Sequence, residues 1–187
     1  MADTSREDAR QLFHILVGIG ALSTLLLFGR GFMLAAVFFI ILAGTLLMNA
    51  RLLGRKVALV QWFEERFERL DAPLPGWGSA CYAAGALVAI SSLSDASQIA
   101  AVIFVLGIGD GLSTLAGLRG RLRLPYNSRK TLEGTLAMFL SSLAAYAFVG
   151  PLALPLALIA ALAETIPGID DNLTIPIACA AFFLVVP

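Results

Sequence analysis

The sequence has few of the residues that build disulfide frameworks or zinc sites. It contains two cysteines and one histidine in 187 residues. Cys81 and Cys179 lie far apart in apolar segments, without the CxxC or Cys/His spacing that such sites need. We therefore expect both thiols to be buried and without a chemical role.

The motifs of several enzyme classes are missing as well. The sequence has no HExxH, GxSxG or CxxC. Gly107-x-Gly109 fails the dinucleotide fingerprint because Leu112 stands where the third glycine belongs, and no glycine-rich P-loop precedes Lys130-Thr131. The formal net charge is +0, which argues against a nucleic-acid-binding protein.

Long apolar runs are what the sequence does contain. Its hydrophobic content is 59%, whereas soluble domains average about 45–50%. A membrane-spanning helix needs about 17–25 residues, and we count seven such runs. No small-residue cleavage site follows the first run, so we expect it to stay in the mature protein. The sequence predicts a single all-α domain over residues 1–187, an integral, multi-pass membrane helix bundle. The predicted spans are 11–29, 31–50, 76–94, 97–118, 132–149, 151–166 and 172–187.

The positive residues predict the orientation of the bundle, because Lys and Arg near helix ends are retained on the cytoplasmic side. With seven spans, twelve of the thirteen cations share one side and Arg30 lies opposite. We therefore predict a cytoplasmic N-terminus and an external C-terminus, in the cell membrane if the source is prokaryotic. The twelve are Arg6, Arg10, Arg51, Arg55, Lys56, Arg66, Arg69, Arg119, Arg121, Arg123, Arg129 and Lys130.

Two cytoplasmic segments stand out between the spans. In residues 55–71, apolar residues recur at helical spacing, which predicts an amphipathic helix at the membrane interface; they are Val60, Phe63, Phe67 and Leu70. This helix either links two spans or borders a lateral gate for a lipid. Residues 119–131 form a basic loop with five cations, which is either a topology signal or headgroup contact, or a phosphate-binding site.

An acid within an apolar segment is the strongest single indication of function. Ionised carboxylates inside a membrane are costly, so Asp110 is a functional candidate. Helical spacing places Gly107, Thr114, Gly117 and Arg121 on its face. Small residues also let membrane helices pack closely, but packing alone does not explain the acid.

Further acids lie on the same predicted membrane face as the basic loop. Capping of the last helix by Asp171 or Asn172 explains one residue of this group, and it leaves Glu164 and Asp170 unexplained. Acids opposite a basic loop indicate a divalent metal with a polyphosphate, for which Mg²⁺ is suited. The helix that begins near Thr131 adds unpaired N–H groups that favour anions.

Three stretches together resemble the polyprenol and diacylglycerol kinase family, which includes dolichol kinase, phytol kinase and the CTP-dependent diacylglycerol kinases. They are Gly109-Asp110-Gly111-Leu112-Ser113-Thr114-Leu115-Ala116-Gly117, Arg129-Lys130-Thr131-Leu132-Glu133-Gly134-Thr135, and Glu164 with Asp170-Asp171-Asn172-Leu173-Thr174-Ile175-Pro176. Arg10-Gln11-Leu12-Phe13-His14 also looks like the family's Arg-Lys-x-x-His element, with Gln11 in place of lysine.

The resemblance implies that a nucleoside triphosphate, commonly CTP, phosphorylates a membrane-embedded lipid alcohol with the help of Mg²⁺. We expect Arg10 and His14 to contact the substrate. The expected catalytic residues are Asp110, Lys130, Asp170 and Asp171, and the expected metal ligands are Asp110, Glu133, Glu164 and Asp171. The expected nucleotide-binding residues are Thr114, Gly117, Arg121, Arg129, Lys130, Thr131, Glu133, Gly134 and Asn172.

Two other functions stay open at this point. The Gly-Asp and Lys-Thr-x-Glu-Gly elements are also similar to those of CDP-diacylglycerol synthases, the phosphatidate cytidylyltransferases, although the short chain favours the kinase. A non-enzymatic transporter is the third possibility, but its usual internal repeats are not evident. The resemblance leaves open whether the acceptor is a polyprenol or dolichol, phytol or diacylglycerol, whether the donor is CTP or ATP, and the oligomeric state.

Overall fold

The structure, a computed structural model, describes residues 2–68 and 72–186 and is mostly helical. The predicted cation Arg69 lies outside the described residues. The described α-helices are α1 (Ala2–Leu52), α2 (Ala58–Phe67), α3 (Trp77–Ser92), α4 (Ala96–Phe104), α5 (Asp110–Arg119), α6 (Leu132–Ser142), α7 (Tyr146–Val149), α8 (Ala153–Glu164) and α9 (Asp171–Val185). A π-helical turn, Val105–Gly109, joins α4 to α5, and 3₁₀ turns at Leu143–Ala145 and Gly150–Leu152 flank α7.

Three helical stretches among the described residues are long and apolar enough to cross a membrane: Arg6–Leu52, Ala96–Arg119 and Leu132–Glu164. The first contains two of the predicted spans, separated at Gly29 (φ 79°), and the third contains another two, separated at Gly150 (φ 56°). Helix α3 has 16 residues and α9 has 15, slightly below the usual spanning length of about 17. A helical membrane protein is thus supported, whereas seven crossings and their orientation stay predictions.

The stretch Ala96–Arg119 forms the centre of the bundle. In its most apolar part 67% of the residues are buried, compared with 11% in Arg6–Leu52. At the π turn, the N–H of Asp110 bonds to the carbonyl of Val105, five residues back. Such turns are rare and often occur at functional sites. This one lies directly before the acid that the sequence singled out.

The backbone of helix α1 packs directly against the backbone of the central stretch. A Cβ added to Gly18 would lie 2.6 Å from the Cα of Gly107 in the π turn, so only glycine fits. Similarly, a Cβ on Gly85 of α3 would lie 2.0 Å from the carbonyl oxygen of Asn172 in α9. These contacts hold α1, α3 and α9 against the site described below.

The structure corrects the all-α prediction in the basic loop. Residues Arg123–Leu124 (β1) and Asn127–Thr131 (β2) pair antiparallel, with a register irregularity between Arg123 and Leu124. Pro125 and Tyr126 make the connection, and proline is favoured at such a turn position. The strands are short and polar, so hydrophobic periodicity does not reveal them.

A second correction concerns the start of the last helix. Asp170, rather than Asp171 or Asn172, is the N-cap of α9, because its Oδ1 accepts the N–H of Asn172 at 3.1 Å. This releases the side chain of Asp171 for another contact. Helix α2 lies within the predicted amphipathic segment, and its Phe63 and Phe67 pack on Phe13 of α1 with ring centroids 5.4 and 4.5 Å apart, whereas its place at the membrane interface stays a prediction.

The Gly18 contact leads to a prediction about stability. Gly18→Ala should lower the free energy of unfolding by roughly 1–3 kcal/mol, because the added methyl forces α1 away from the π turn. Thermal unfolding in detergent micelles measures the change. Gly20→Ala is the matched control, since a Cβ there meets nothing within 4 Å and alanine favours the helix by about 1 kcal/mol. Equal melting temperatures for the two variants would contradict the proposed close approach.

Candidate functional site

The centre of the site is an ammonium group shared by two carboxylates. Lys130 of β2 places its Nζ 2.6 Å from Glu164 Oε1 at the end of α8 and 2.6 Å from Asp171 Oδ2 at the start of α9. Burial lowers the pKa of Lys130, but the carboxylates of Asp171, Asp110 and Glu164 outweigh burial and raise that pKa above its usual value. The lysine is therefore charged at neutral pH.

Two hydroxyl groups hold Glu164 in place. Its side chain is buried, with 2% exposed, and Ser113 Oγ donates to Oε1 at 3.0 Å while Thr135 Oγ1 donates to Oε2 at 3.1 Å. Neither hydroxyl was among the site residues expected from the sequence. The available signal was their position within the Gly-Asp and Lys-Thr-x-Glu-Gly stretches. Helices α5 and α6 thus fix an acid that α8 provides.

A cleft of ≈ 790 Å³ opens over this ion pair, and both basic and acidic side chains line it. Arg10, Arg123 and Arg129 line it together with the carboxylates. The structure therefore brings most of the predicted residues to one cavity. Those that line it are Arg10, Thr114, Gly117, Arg129, Lys130, Thr131, Gly134, Glu164, Asp170 and Asp171.

The start of α6 explains the Lys-Thr-x-Glu-Gly spacing. Thr131 caps the helix, because its Oγ1 accepts the N–H of Gly134 at 3.1 Å. A Cβ on Gly134 would lie 3.0 Å from the carbonyl oxygen of Ser113 and 3.1 Å from the Cα of Gly117, so a larger residue would push α6 from α5. The cap and the glycine contact therefore hold the β2–α6 junction, where Lys130 emerges, against α5.

Arg121 and Glu133 are not among the described residues that line the cleft. Glu133 Oε1 accepts the backbone N–H of Arg121 at 2.8 Å, and both of its carboxylate oxygens accept from the N–H of Leu122. The Arg121 side chain is exposed. Glu133 thus closes the base of the β-hairpin, and the structure does not bring it to the other predicted metal ligands.

Asp110 lies in a second polar group beside the cleft. It is 4% exposed, and its Oδ2 is 3.5 Å from His14 Nε2. The same Nε2 is 2.9 Å from the carbonyl oxygen of Leu106 in the π turn. Because both neighbours accept hydrogen bonds, Nε2 carries the hydrogen in the neutral ring. Asp110 Oδ1 has no hydrogen-bond partner among the described residues.

The predicted metal ligands do not lie in one place: Glu133 is at the base of the hairpin, Asp110 is beside His14, and Glu164 and Asp171 contact Lys130. Within residues 2–68 and 72–186, no group of three His, Cys, Asp or Glu side chains is close enough to hold a metal ion alone. Glu164 and Asp171 form the one pair of predicted ligands that contacts a shared cation, which is Lys130. Asn172 is buried, and its Nδ2 donates to Asp170 Oδ1 at 2.8 Å.

Comparisons with known proteins were made for family, sequence and structure. No family model matches the chain, and no solved structure matches it. The chain is similar to the uncharacterized protein MJ1137 of Methanocaldococcus jannaschii, with 38% identity over 109 residues. The match covers 56% of this chain and 56% of that protein.

The ion pair predicts a strong dependence of stability on Lys130. Lys130→Met should destabilise the protein by about 3 kcal/mol, because it leaves two largely buried carboxylates without their cation. Adding Glu164→Gln should recover part of the loss. Thermal unfolding of the single and double variants measures this coupling, and the exposed Arg121→Met is the control. Simple additivity of the two substitutions would mean that the ion pair contributes nothing.

Proposed function

We propose that the protein is a membrane lipid kinase that transfers the terminal phosphate of a nucleoside triphosphate, CTP in the first instance, to a lipid alcohol such as a polyprenol or dolichol, phytol or diacylglycerol. The observation that carries the proposal is Lys130, shared by two carboxylates in a cleft that Arg10, Arg123 and Arg129 also line. Mixed acids and cations around one cavity suit a polyphosphate with its metal. The motif resemblance points to the same chemistry.

For phosphoryl transfer, a protein mainly has to position the reactants and to neutralise charge on the transferring group. Arg10, which pairs with Glu7, and Arg129 line the cleft beside Lys130, so three cations lie around the space that the phosphates would occupy. The N-terminus of α6 faces the same cavity through Thr131 and Gly134 and favours an anion. These groups would hold the triphosphate with its terminal phosphorus toward the acceptor.

Glu164 and Asp171 fit the magnesium ion that the resemblance implies. They already share one cation, and Mg²⁺ prefers one or two carboxylates together with phosphate oxygens and water. When bound, the ion would offset negative charge on the phosphates. Lys130 would then pair with the nucleotide instead of with the two acids.

The proposed topology has seven crossings, a cytoplasmic N-terminus and a cytoplasmic site. Contacts between distant basic segments support it. Arg6 donates to the carbonyls of Glu64 and Glu68, and Arg119 pairs with Asp8 at 2.9 Å. Arg30 instead donates to the carbonyls of Ile90 and Ser91 at the far end of α3. The positive-inside bias favours the cytoplasm for the shared basic end.

The direct test offers labelled CTP and ATP with a panel of lipid alcohols to the purified protein. We expect a phosphorylated alcohol and the nucleoside diphosphate. Release of pyrophosphate with a CDP-lipid would identify a cytidylyltransferase and overturn the kinase assignment. A protein that yields neither product with any alcohol or phosphatidate would favour the non-enzymatic class.

The two carboxylates should matter to the reaction more than to the fold. Asp171→Asn and Glu164→Gln should each lower kcat roughly 100-fold or more, because each removes charge that holds the metal and nucleotide. Both keep the shape of the side chain, and circular dichroism checks the fold. Glu65→Gln, at an exposed position of α2, should retain activity. Wild-type turnover by folded Asp171→Asn and Glu164→Gln proteins would remove the site from the reaction.

A further inference from the structure

A second, apolar cleft of ≈ 370 Å³ lies between α1, α2 and α3. Phe13 and Val17 of α1, Phe63 and Phe67 of α2, and Ala83 of α3 are among its walls. The three phenylalanines pack on one another, with ring centroids between 4.5 and 5.4 Å apart, and form the wall on the side of α2. Such a lining suits a hydrocarbon chain.

This apolar cleft is adjacent to the polar one. Arg10 and Glu68 line both cavities. Asp171 lines the polar cleft, and the next residue, Asn172, lines the apolar one. A molecule in the apolar cleft therefore ends beside the residues assigned to the triphosphate.

Some residues that line the apolar cleft, and Asp110 beside its lining residue His14, have buried polar atoms that lack partners. Tyr82 Oη, Asn172 Oδ1 and Asp110 Oδ1 are all inaccessible and make no hydrogen bond with the described residues. Tyr82 and Asn172 line the apolar cleft, and the ring of Tyr82 meets His14 edge-on at 4.7 Å. Each unsatisfied group is costly when buried. Because these atoms are inaccessible in the free protein, the side chains must move before a ligand hydroxyl can accept from the phenol and donate to a carbonyl or carboxylate oxygen, which hydrocarbon cannot do.

We infer that the apolar cleft binds the acceptor alcohol, with its chain between α1, α2 and α3 and its hydroxyl at the Tyr82–Asn172 end. This inference rests on the proposed lipid kinase function and narrows its substrate. The volume lies at the lower end of ligand pockets, which span about 300–1,000 Å³, and suits one chain better than two. The preferred acceptor is thus a single-chain alcohol rather than diacylglycerol.

Photoaffinity labelling of the full chain in lipid nanodiscs tests where the acceptor binds. The probe is a single-chain prenyl alcohol with a diazirine in the chain. We expect crosslinks to the α1 and α3 walls around Val17 and Ala83, which the parent alcohol competes away and the hydrocarbon without a hydroxyl does not. Labelling elsewhere, or equal competition by the hydrocarbon, would overturn the inference.

Two substitutions separate this inference from the proposed function. Ala83→Phe fills the cleft and should raise the KM for the alcohol at least tenfold while the KM for the nucleotide stays the same. Ala80→Phe, at an exposed position of the same helix and outside the cleft lining, is the matched control. Tyr82→Phe should raise the alcohol KM roughly five- to tenfold without lowering thermal stability, because its hydroxyl has no partner in the free protein.

The possible failures are distinguishable. If the wild-type protein phosphorylates no alcohol, the proposed kinase function fails and this inference fails with it. If the wild type is active and Ala83→Phe and Tyr82→Phe leave the alcohol KM unchanged, only the acceptor site is wrong. Faster turnover of diacylglycerol than of single-chain alcohols would overturn the assigned substrate class alone.

Discussion

The site depends on one buried ammonium group and the two acids that share it. Removing an ion from water costs several kcal/mol, so a buried lysine requires close partners of opposite charge. Lys130 finds them on two different helices, α8 and α9, and it comes from a strand that neither helix adjoins in the chain. One contact therefore couples three segments, and Ser113 and Thr135 extend the coupling to α5 and α6.

The π turn positions a further acid, Asp110, beside His14. Because the N–H of Asp110 bonds to Val105, it does not occupy the carbonyl of Leu106, which instead lies 2.9 Å from His14 Nε2. The glycine contact between Gly18 and Gly107 brings α1 close enough for this. His14 and Asp110, which are 96 positions apart, thus come close through the π turn. No periodicity in the sequence predicts that turn.

The residues at the centre of the site could be predicted from their charge and from the order of the apolar runs. The contacts of the other site residues depend on local backbone geometry. Lys130, Glu164 and Asp171 were expected on one membrane face because the apolar runs between them alternate direction, and the structure brings their side chains into contact. Glu133 belongs to the same motif, but its carboxylate satisfies the backbone N–H groups of a hairpin that the sequence did not reveal. The hydroxyl of Ser141 bonds back to its own helix at Ala137, whereas that of Ser113 reaches Glu164, and only the position of Ser113 in the Gly-Asp stretch distinguishes the two in the sequence.

The arrangement of polar groups also favours interfacial chemistry over transport. A transporter needs polar groups near the midplane of the bilayer. Here the part of α4 in the centre of the bundle is fully buried and apolar from Ile99 to Ile103, and the acids lie beyond the π turn toward the basic end. The two clefts share Arg10 and Glu68 among their lining residues at that same end. A lipid hydroxyl and a water-soluble phosphate donor can approach each other only at such a boundary, because neither is stable in the other's solvent.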